Sequence, residues 1–361
     1  MIVLVIGTGL LGASAGLALV ERGHEVYLRD ASPHAAGLAE DLGAGRLPEG
    51  QISPDLVIVA TPPDVAGDVV SAALTEFQDA IVTDVASVKE IVAAEVRTDR
   101  NRYVGSHPMA GRERSGATSA DADLFVGRPW VIVPTDESSA QAVSLVRNLA
   151  ISLGSLPVDM TASEHDAAVA RVSHVPQLLS SLMAARLAEA PASALQLSGQ
   201  GLRDVTRIAK SDPRLWSTII AGNTEPVRDV LTELQADLTD LIAALESVDA
   251  QAGSYRGIAT VAKVIDAGNE GVYRIPGKHG GAPVRYATLV VLVPDTAGEL
   301  GRLFTDIGQI GVNIEDLTLE HSVNQPVGRA FLSVMPALAR DLAESLGQRG
   351  WTVADTQAGE A

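Results

Sequence analysis

Apolar positions along the first 158 residues switch between two periods. Ile2 to Ile6 is a short β-branched run, and the stretch after it, "LLGASAGLALVERG", has helical spacing. "HEVYLRD" is again strand-like. "PDLVIVATPPDVAGDVV", "DAIVTDVASVKEIVAAEV" and "NRYVGSHPMAG" each begin as a buried strand, and in the first two the strand gives way to a helix. "PWVIVPTDESSAQAVSLVRNLAISLGSLPVDM" adds a strand, a helix and a last strand. Strand and helix in alternation predict a doubly wound, mainly parallel sheet over residues 1–158. From Thr161 to Gly268 the pattern is helical, with no strand between helices. "TASEHDAAVARVSHVPQLLSSLMAARLAEA" reads as one long helix, "PASALQLSGQGLRDVTRIAK" as a second, and Asp212-Pro213 as the start of another. So long a run of Ala- and Leu-rich helix predicts an all-α dimerisation domain, 159–274. "RIPGKHGGAPV" is a Pro/Gly linker. Beyond it, residues 284–361 read βαββαβ, the α+β ferredoxin-like order, with His321 at a strand end.

The first strand and helix are joined by Gly7-x-Gly9-x-x-Gly12, with Thr8, Leu10 and Leu11 between the glycines, and the second strand ends in Asp30. This is a Rossmann fingerprint. One glycine allows the tight turn, the second lets backbone approach a pyrophosphate, the third lets helix and strand pack closely, and the acid reaches a ribose hydroxyl. Asp30 would repel a 2′-phosphate, so NAD is favoured as cofactor; Arg29 beside it leaves NADP open. Ligands of such sheets bind outside the carboxyl ends of the strands. Thr61 and Pro62, Ser87 and His107 all fall at predicted strand ends. A histidine within "SHPMAGRERSG" packs no core, and its place points to the rim where a nicotinamide would lie.

Two features of the helical segment admit more than one reading. Arg203 and Arg207 share a helix face. A solvated face eased by Asp204 and an anion clamp both fit that spacing. Ser173 and Gln177 also share a face, and His174 taken alone reads as a satisfied core or interface histidine.

Charge and composition narrow the partners. Of 361 residues, 27 are Lys or Arg and 45 Asp or Glu, a net charge of −18, which argues against nucleic acid and anionic membranes as partners. There is no cysteine, which removes disulfides, thiolate catalysis and Cys-ligated metals, and no metal site is expected. "MIVLVIGTGL" lacks a basic n-region and its apolar run is short, so a soluble cytoplasmic protein is expected.

"GTGLLGAS", "TDVASVK", "GSHPMAGRERSG", "HDAAVARVSHVPQ" and "LRDVTRIAKSDPRLW" together resemble the prephenate dehydrogenases of tyrosine biosynthesis, over nearly the whole chain. The tail, through "DTAGELGRLFTDIGQIGVNI", resembles an ACT domain, a class that commonly binds amino acids. The resemblance implies NAD-dependent oxidative decarboxylation of prephenate to 4-hydroxyphenylpyruvate by a homodimer. His107 matches the catalytic histidine that takes the ring hydroxyl's proton, and Ser87 the serine that positions that hydroxyl. Arg207 matches the arginine that pairs with a substrate carboxylate, and Arg203 a basic position nearby. Glu113, Ser173 and Trp216 match pocket positions. In the tail, Asp295 and Asn313 match the loop where an amino-acid effector such as tyrosine would bind. One position departs: relatives read Ser-His-Leu-Pro-His where this chain has Ser173-His174-Val175-Pro176-Gln177. Gln177 hydrogen-bonds but carries no charge, so arogenate, the aminated substrate, stays open beside prephenate.

Two other classes remain. A β-hydroxyacid dehydrogenase would use a lysine of the helical domain, and Lys210 is the one lysine between Thr161 and Leu245, inside the "RIAKSD" motif. A non-catalytic sensor of NAD and an amino acid would need no base at the hydride site, which the set His107, Ser87 and Arg207 argues against.

Overall fold

A computed structural model of the chain describes residues 1–111, 116–249, 254–255, 257–276, 286–321 and 326–357. They form two compact units, Met1–Ala236 and Asp237–Ala361. The first unit begins with β1 (Ile2–Ile6), α1 (Leu10–Glu21), β2 (Glu25–Arg29), α2 (Pro33–Asp41), β3 (Leu56–Val59), α3 (Pro63–Glu76), β4 (Ile81–Asp84), α4 (Glu90–Glu95), β5 (Tyr103–Pro108), β6 (Pro129–Pro134), α5 (Ala140–Ser152) and β7 (Leu156–Asp159). The seven strands make one sheet in the order β2-β1-β3-β4-β5-β6-β7. Both faces are covered, and the strand sequences explain how. Val3, Val5, Leu56 and Ile58 enter one apolar cluster, while Leu4, Ile6, Val57 and Val59 enter the cluster on the other face. Period-two alternation of uniformly apolar residues is what a sheet buried on both sides requires. α2 was not signalled by the apolar pattern; its start is a Ser32 cap on Ala35 N followed by Pro33.

One pairing departs from parallel: β6, and β7 parallel to it, run antiparallel to β5, with His107 opposite Val131 and Pro108 opposite Trp130. This pairing extends β5 through Pro108, so His107 lies inside the strand rather than just past its end.

The helical part starts at Thr161, whose hydroxyl caps Glu164 N while the Glu164 carboxylate returns to Thr161 N, a reciprocal box. α6 (Ala162–Val169) passes through a π-helical turn, Ala170–His174, into α7 (Val175–Ala185). The expected single helix is thus one rod with one widened turn. The expected second helix is instead broken. α8 (Ala192–Leu195) and α9 (Gln200–Thr206) are short pieces, and Arg207–Ala209 is a 3₁₀ turn. Gly199 at the N-cap of α9 divides the run. α10 (Pro213–Gly222), capped by Asp212, and the first part of α11 (Thr224–Glu246) complete the unit.

In the second unit two-residue strands, β8 (Val248–Asp249) and β9 (Ser254–Tyr255), interrupt a region expected to be wholly helical, before α12 (Ile258–Tyr273). Then come β10 (Ala287–Pro294), α13 (Glu299–Ile310), β11 (Asp316–His321), β12 (Val327–Val334), α14 (Pro336–Gln348) and β13 (Thr352–Gln357). The sheet order β11-β12-β10-β13 is the ferredoxin-like one. Its strands bury Leu289, Val291, Ala330 and Leu332 against Leu303, Ile307, Leu342 and Leu346 of the two helices.

Candidate active site

The glycine turn sits where the sheet order reverses, between β1 and its neighbours β2 and β3. Gly7 has φ 96°, and a Cβ there would meet Ala60 O at 2.6 Å; a Cβ on Gly12 would meet Gly7 O at 1.8 Å. Both glycines are therefore fixed by fold. Gly9 is different: nothing lies within 4 Å of the Cβ it lacks. It is also the N-cap of α1 without a side-chain cap, so the first amides of the helix, from Leu10 on, are free of intrahelical partners. An open approach to uncapped amides at a positive helix end is a cradle for a pyrophosphate. Across from it, Thr61 Oγ1 is buried with no partner among the described residues, and Pro62 caps α3 beside it. These observations fit a dinucleotide.

Asp30 is placed by the same turn. Its Oδ2 accepts from Thr8 N at 2.7 Å and from Thr8 Oγ1 at 2.9 Å, and its Oδ1 from Ser32 N at 2.8 Å. Arg29, the cation that left NADP open, is engaged elsewhere, in a two-bond pair with Glu76.

β1, β3, β4 and β5 are parallel, so their carboxyl ends share one edge. Ser87, half-buried, lies in the loop after β4. His107, 8% exposed, lies at the end of β5. Its Nδ1 is 2.8 Å from Nε2 of His165, in the first turns of α6. His165 Nδ1 is 2.7 Å from Asp166 Oδ1. Asp166 accepts in addition from Lys89 N at 2.8 Å and Glu90 N at 2.9 Å, joining α6 to the β4–α4 loop. Lys89 is itself buried and its Nζ pairs with Asp84, which also accepts from Tyr103 Oη at 2.8 Å. A continuous polar chain thus runs from Tyr103 to His107 through the interior. Burial, with His165, Lys89 and His174 nearby, holds the His107 imidazole well below its usual range. Burial alone lowers Lys89, against the pull of Asp84.

The motif histidines of the helical region converge on the same place. Asn223 Nδ2 donates to Asp166 O at 2.8 Å and to His174 Nδ1 at 3.0 Å. The His174 ring stands edge-on to Trp216, 6.2 Å between centroids. Desolvation takes His174 down to about 4. Trp216 rests on the cluster of Ala66, Ala86, Val88, Val92 and Ile219. Ser173, in the widened turn, is half-buried, while His174 and Gln177 are buried. Gln177 Nε2 donates to Ser211 Oγ at 2.8 Å, and Ser180 Oγ to Val205 O at 2.7 Å. These bonds clamp the segment carrying Arg207 onto α7. Arg203 and Arg207 are both exposed, the first in α9 and the second opening the 3₁₀ turn that follows it directly. Lys210 is exposed as well. Glu113 lies outside the described residues. Sequence reasoning missed His165 and Asp166; the one local signal was an adjacent His-Asp pair one residue past a capping box.

In the second unit Asp295 lines a cavity of about 220 Å³ with Val293, Thr296, Gly298, Leu300 and Leu319. Asn313 does not line it; its amide donates to Glu315 at 2.7 Å.

The reversed-order sheet, the glycine cradle and a histidine on the shared carboxyl edge define a dinucleotide-dependent oxidoreductase. Residues 15–156 match the nucleotide-binding domain of prephenate dehydrogenase and residues 161–255 its dimerization domain. A probable prephenate dehydrogenase, NovF, of Streptomyces niveus is 35% identical over 96% of this chain and 98% of its own. The prephenate dehydrogenase of Bacillus subtilis is 27% identical over 88% and 87%. Among solved structures, prephenate dehydrogenase from A. aeolicus in complex with hydroxyphenyl propionate and NAD+ superposes with a TM-score of 0.67 at 26% identity, over 75% of this chain and 98% of that one. Synechocystis arogenate dehydrogenase does so with 0.61 at 25%, over 75% and 99%. The chain belongs to the prephenate dehydrogenase family, and NAD is its cofactor.

Proposed function

We propose that this chain oxidises and decarboxylates prephenate to 4-hydroxyphenylpyruvate, with His107 as general base. The observation that carries the reading is the fixed imidazole at the carboxyl edge, bound through Nδ1 to His165 and so meeting substrate through Nε2. Bound NAD would supply the acceptor for the hydride of the hydroxyl-bearing ring carbon. His107 Nε2 receives the proton of that hydroxyl as the carbon–oxygen double bond forms. The bond to the ring carboxylate breaks, CO₂ leaves, and its electron pair makes the ring aromatic. The proton returns from His107 to the phenolic oxygen, so no net proton is released. A neutral, buried imidazole suits both transfers, because it is poised to accept and quick to give back. Ser87, on the neighbouring strand's loop, holds the hydroxyl. Arg207 pairs with a substrate carboxylate and Arg203 adds charge beside it, as guanidinium matches carboxylate. Glu113, Ser173, Gln177 and Trp216 line the pocket. Gly7 to Gly12, Asp30, Thr61 and Pro62 hold the cofactor.

Gln177 favours a second substrate. Its amide is neutral where relatives carry a histidine, so a substrate with an ammonium group meets no extra positive charge there, and arogenate would be used in place of prephenate or beside it. Following NADH absorbance with each substrate and with simple hydroxyacids separates these readings. Turnover of hydroxyacids alone would reject both.

The division into 1–158, 159–274 and 284–361 is part of the proposal. The helical part pairs with a second copy: Val172, Leu182, Leu197, Leu238, Ile242 and Ile265 are all at least half exposed, apolar surface that a second copy would cover. The enzyme works in the cytoplasm. The tail is an ACT domain, and an amino acid such as tyrosine binds at the cavity beside Asp295. Titration of tyrosine against the full chain and a chain ending before Arg285 tests this. Equal inhibition of both puts the site outside the tail.

A further inference from the structure

With both rings neutral, the hydrogen-bond chain behind His107 has only one consistent assignment of protons. The carboxylate of Asp166 accepts through both oxygens, from Lys89 N and from Glu90 N. The ring atom facing its Oδ1 at 2.7 Å, His165 Nδ1, must therefore carry hydrogen. A neutral imidazole has one N–H, so His165 Nε2 is an acceptor. Its partner at 2.8 Å is His107 Nδ1, which must then donate. That leaves the lone pair of His107 on Nε2. A free imidazole has no such constraint, and the two rings are locked as well in orientation, edge to face at 70°.

We infer that His165 is a positioning residue, relaying the acceptor character of Asp166 so that His107 is held in the tautomer whose Nε2 can take a proton. The inference rests on reading His107 as the base. The intervening ring has a chemical purpose. A carboxylate set directly against His107 would fix the tautomer too, but it would also pull the imidazole towards its charged form. An intervening imidazole fixes the tautomer without setting a carboxylate against His107. When His107 is protonated, its Nδ1–H still points at a lone pair, and the carboxylate stabilises the charge from one ring away.

The deciding measurement is ¹⁵N–¹H correlation spectroscopy of the ring nitrogens in the full-length, histidine-labelled protein with NAD bound, at a pH of about 8, where imidazole is neutral. His107 is assigned from the peaks lost in His107→Asn. We expect hydrogen on Nδ1 and a bare Nε2. In His165→Leu hydrogen shifts to Nε2, and kcat falls by about 10²–10⁴-fold, the scale of general-base loss, while the Kd for NAD is unchanged. His165→Gln can offer its Oε1 to His107 Nδ1 and restores tautomer and rate in part. Hydrogen on Nε2 in the wild type overturns the inference, and so does a His165→Leu protein with unchanged tautomer, whatever its rate. Should His165→Leu not fold, the wild-type tautomer and the Gln variant still decide. Failure of the base reading has a different sign: His107→Asn would then keep its kcat.

Discussion

Lys89 and Asp84 form an ion pair in which neither side chain is more than 1% exposed. Asp84 is held further by Tyr103 Oη and by Ala86 N at 2.9 Å. Removing one partner leaves a buried charge without its counterion. Lys89→Met is expected to lower unfolding free energy by about 3–5 kcal/mol, and Lys89→Met with Asp84→Leu to recover part of that. Urea unfolding of the three proteins measures it. An unchanged midpoint in the single variant would mean that Asp84 is not carrying its charge.

Replacing His107 by Asn keeps the polar contact with His165 and removes the base. A kcat decrease of about 10²–10⁴-fold is expected, with NAD binding by fluorescence unaltered. In the unsubstituted enzyme, the depressed imidazole should stay functional below the usual histidine range, so the acid limb of kcat/KM should lie under pH 6.5. A limb above that value would show that burial does not govern this histidine.

Asp30→Ser removes the carboxylate that a 2′-phosphate would meet. NADP should gain on NAD as cofactor. Because Asp30 also holds Thr8 through two bonds, NAD affinity should drop as well. Steady-state KM values for both cofactors report each effect. A native preference for NADP would reverse the assignment.

Arg207→Ala should act on substrate and not on NAD, with a loss of roughly 2–5 kcal/mol in kcat/KM if the pair it forms is desolvated. Isothermal titration with each ligand separates the two. Lost NAD binding with substrate binding intact would move Arg207 to the cofactor.

His174 makes stability depend on acid. Its folded pKa, about 4, lies below the model-peptide value of 6.5. Between those values the unfolded chain binds the proton more readily, so stability falls as pH drops through 6.5 and levels off near 4. His107 acts in the same direction. His174→Leu should flatten the slope of unfolding free energy against pH in that window by up to one proton, whatever its effect at neutral pH. An equally steep slope would assign the acid sensitivity to other groups.

Local features were legible from sequence. Strand, glycine turn, helix and terminal acid at Ile2 to Asp30 are contiguous, and each has its own signal. The βαββαβ tail was read correctly because its strands alternate and its helices have strong apolar faces. What could not be read was contact between distant positions. His107 and His165 are 58 residues apart, and a His-Asp pair in a capped first turn looks like ordinary helix-start chemistry. The antiparallel β6 hid the true end of β5, since strand direction leaves no trace in an apolar run. The helix boundary between Arg203 and Arg207 was equally silent: i, i+4 spacing assumes unbroken α-helix, and a 3₁₀ turn begins at Arg207 itself.

The π-helical turn at Ala170–His174 has a consequence for length rather than chemistry. Such a turn holds one residue more than the α-helix around it. The widened turn absorbs that residue locally, whereas a deletion in the regular first turn of α7 has no such slack and would rotate everything downstream by about 100°. Gln177 would leave Ser211, Ser180 would leave Val205, and the segment bearing Arg207 would lose both of those hydrogen-bonded anchors. At the start of α7 the chain should tolerate many changes of letter and almost no change of count.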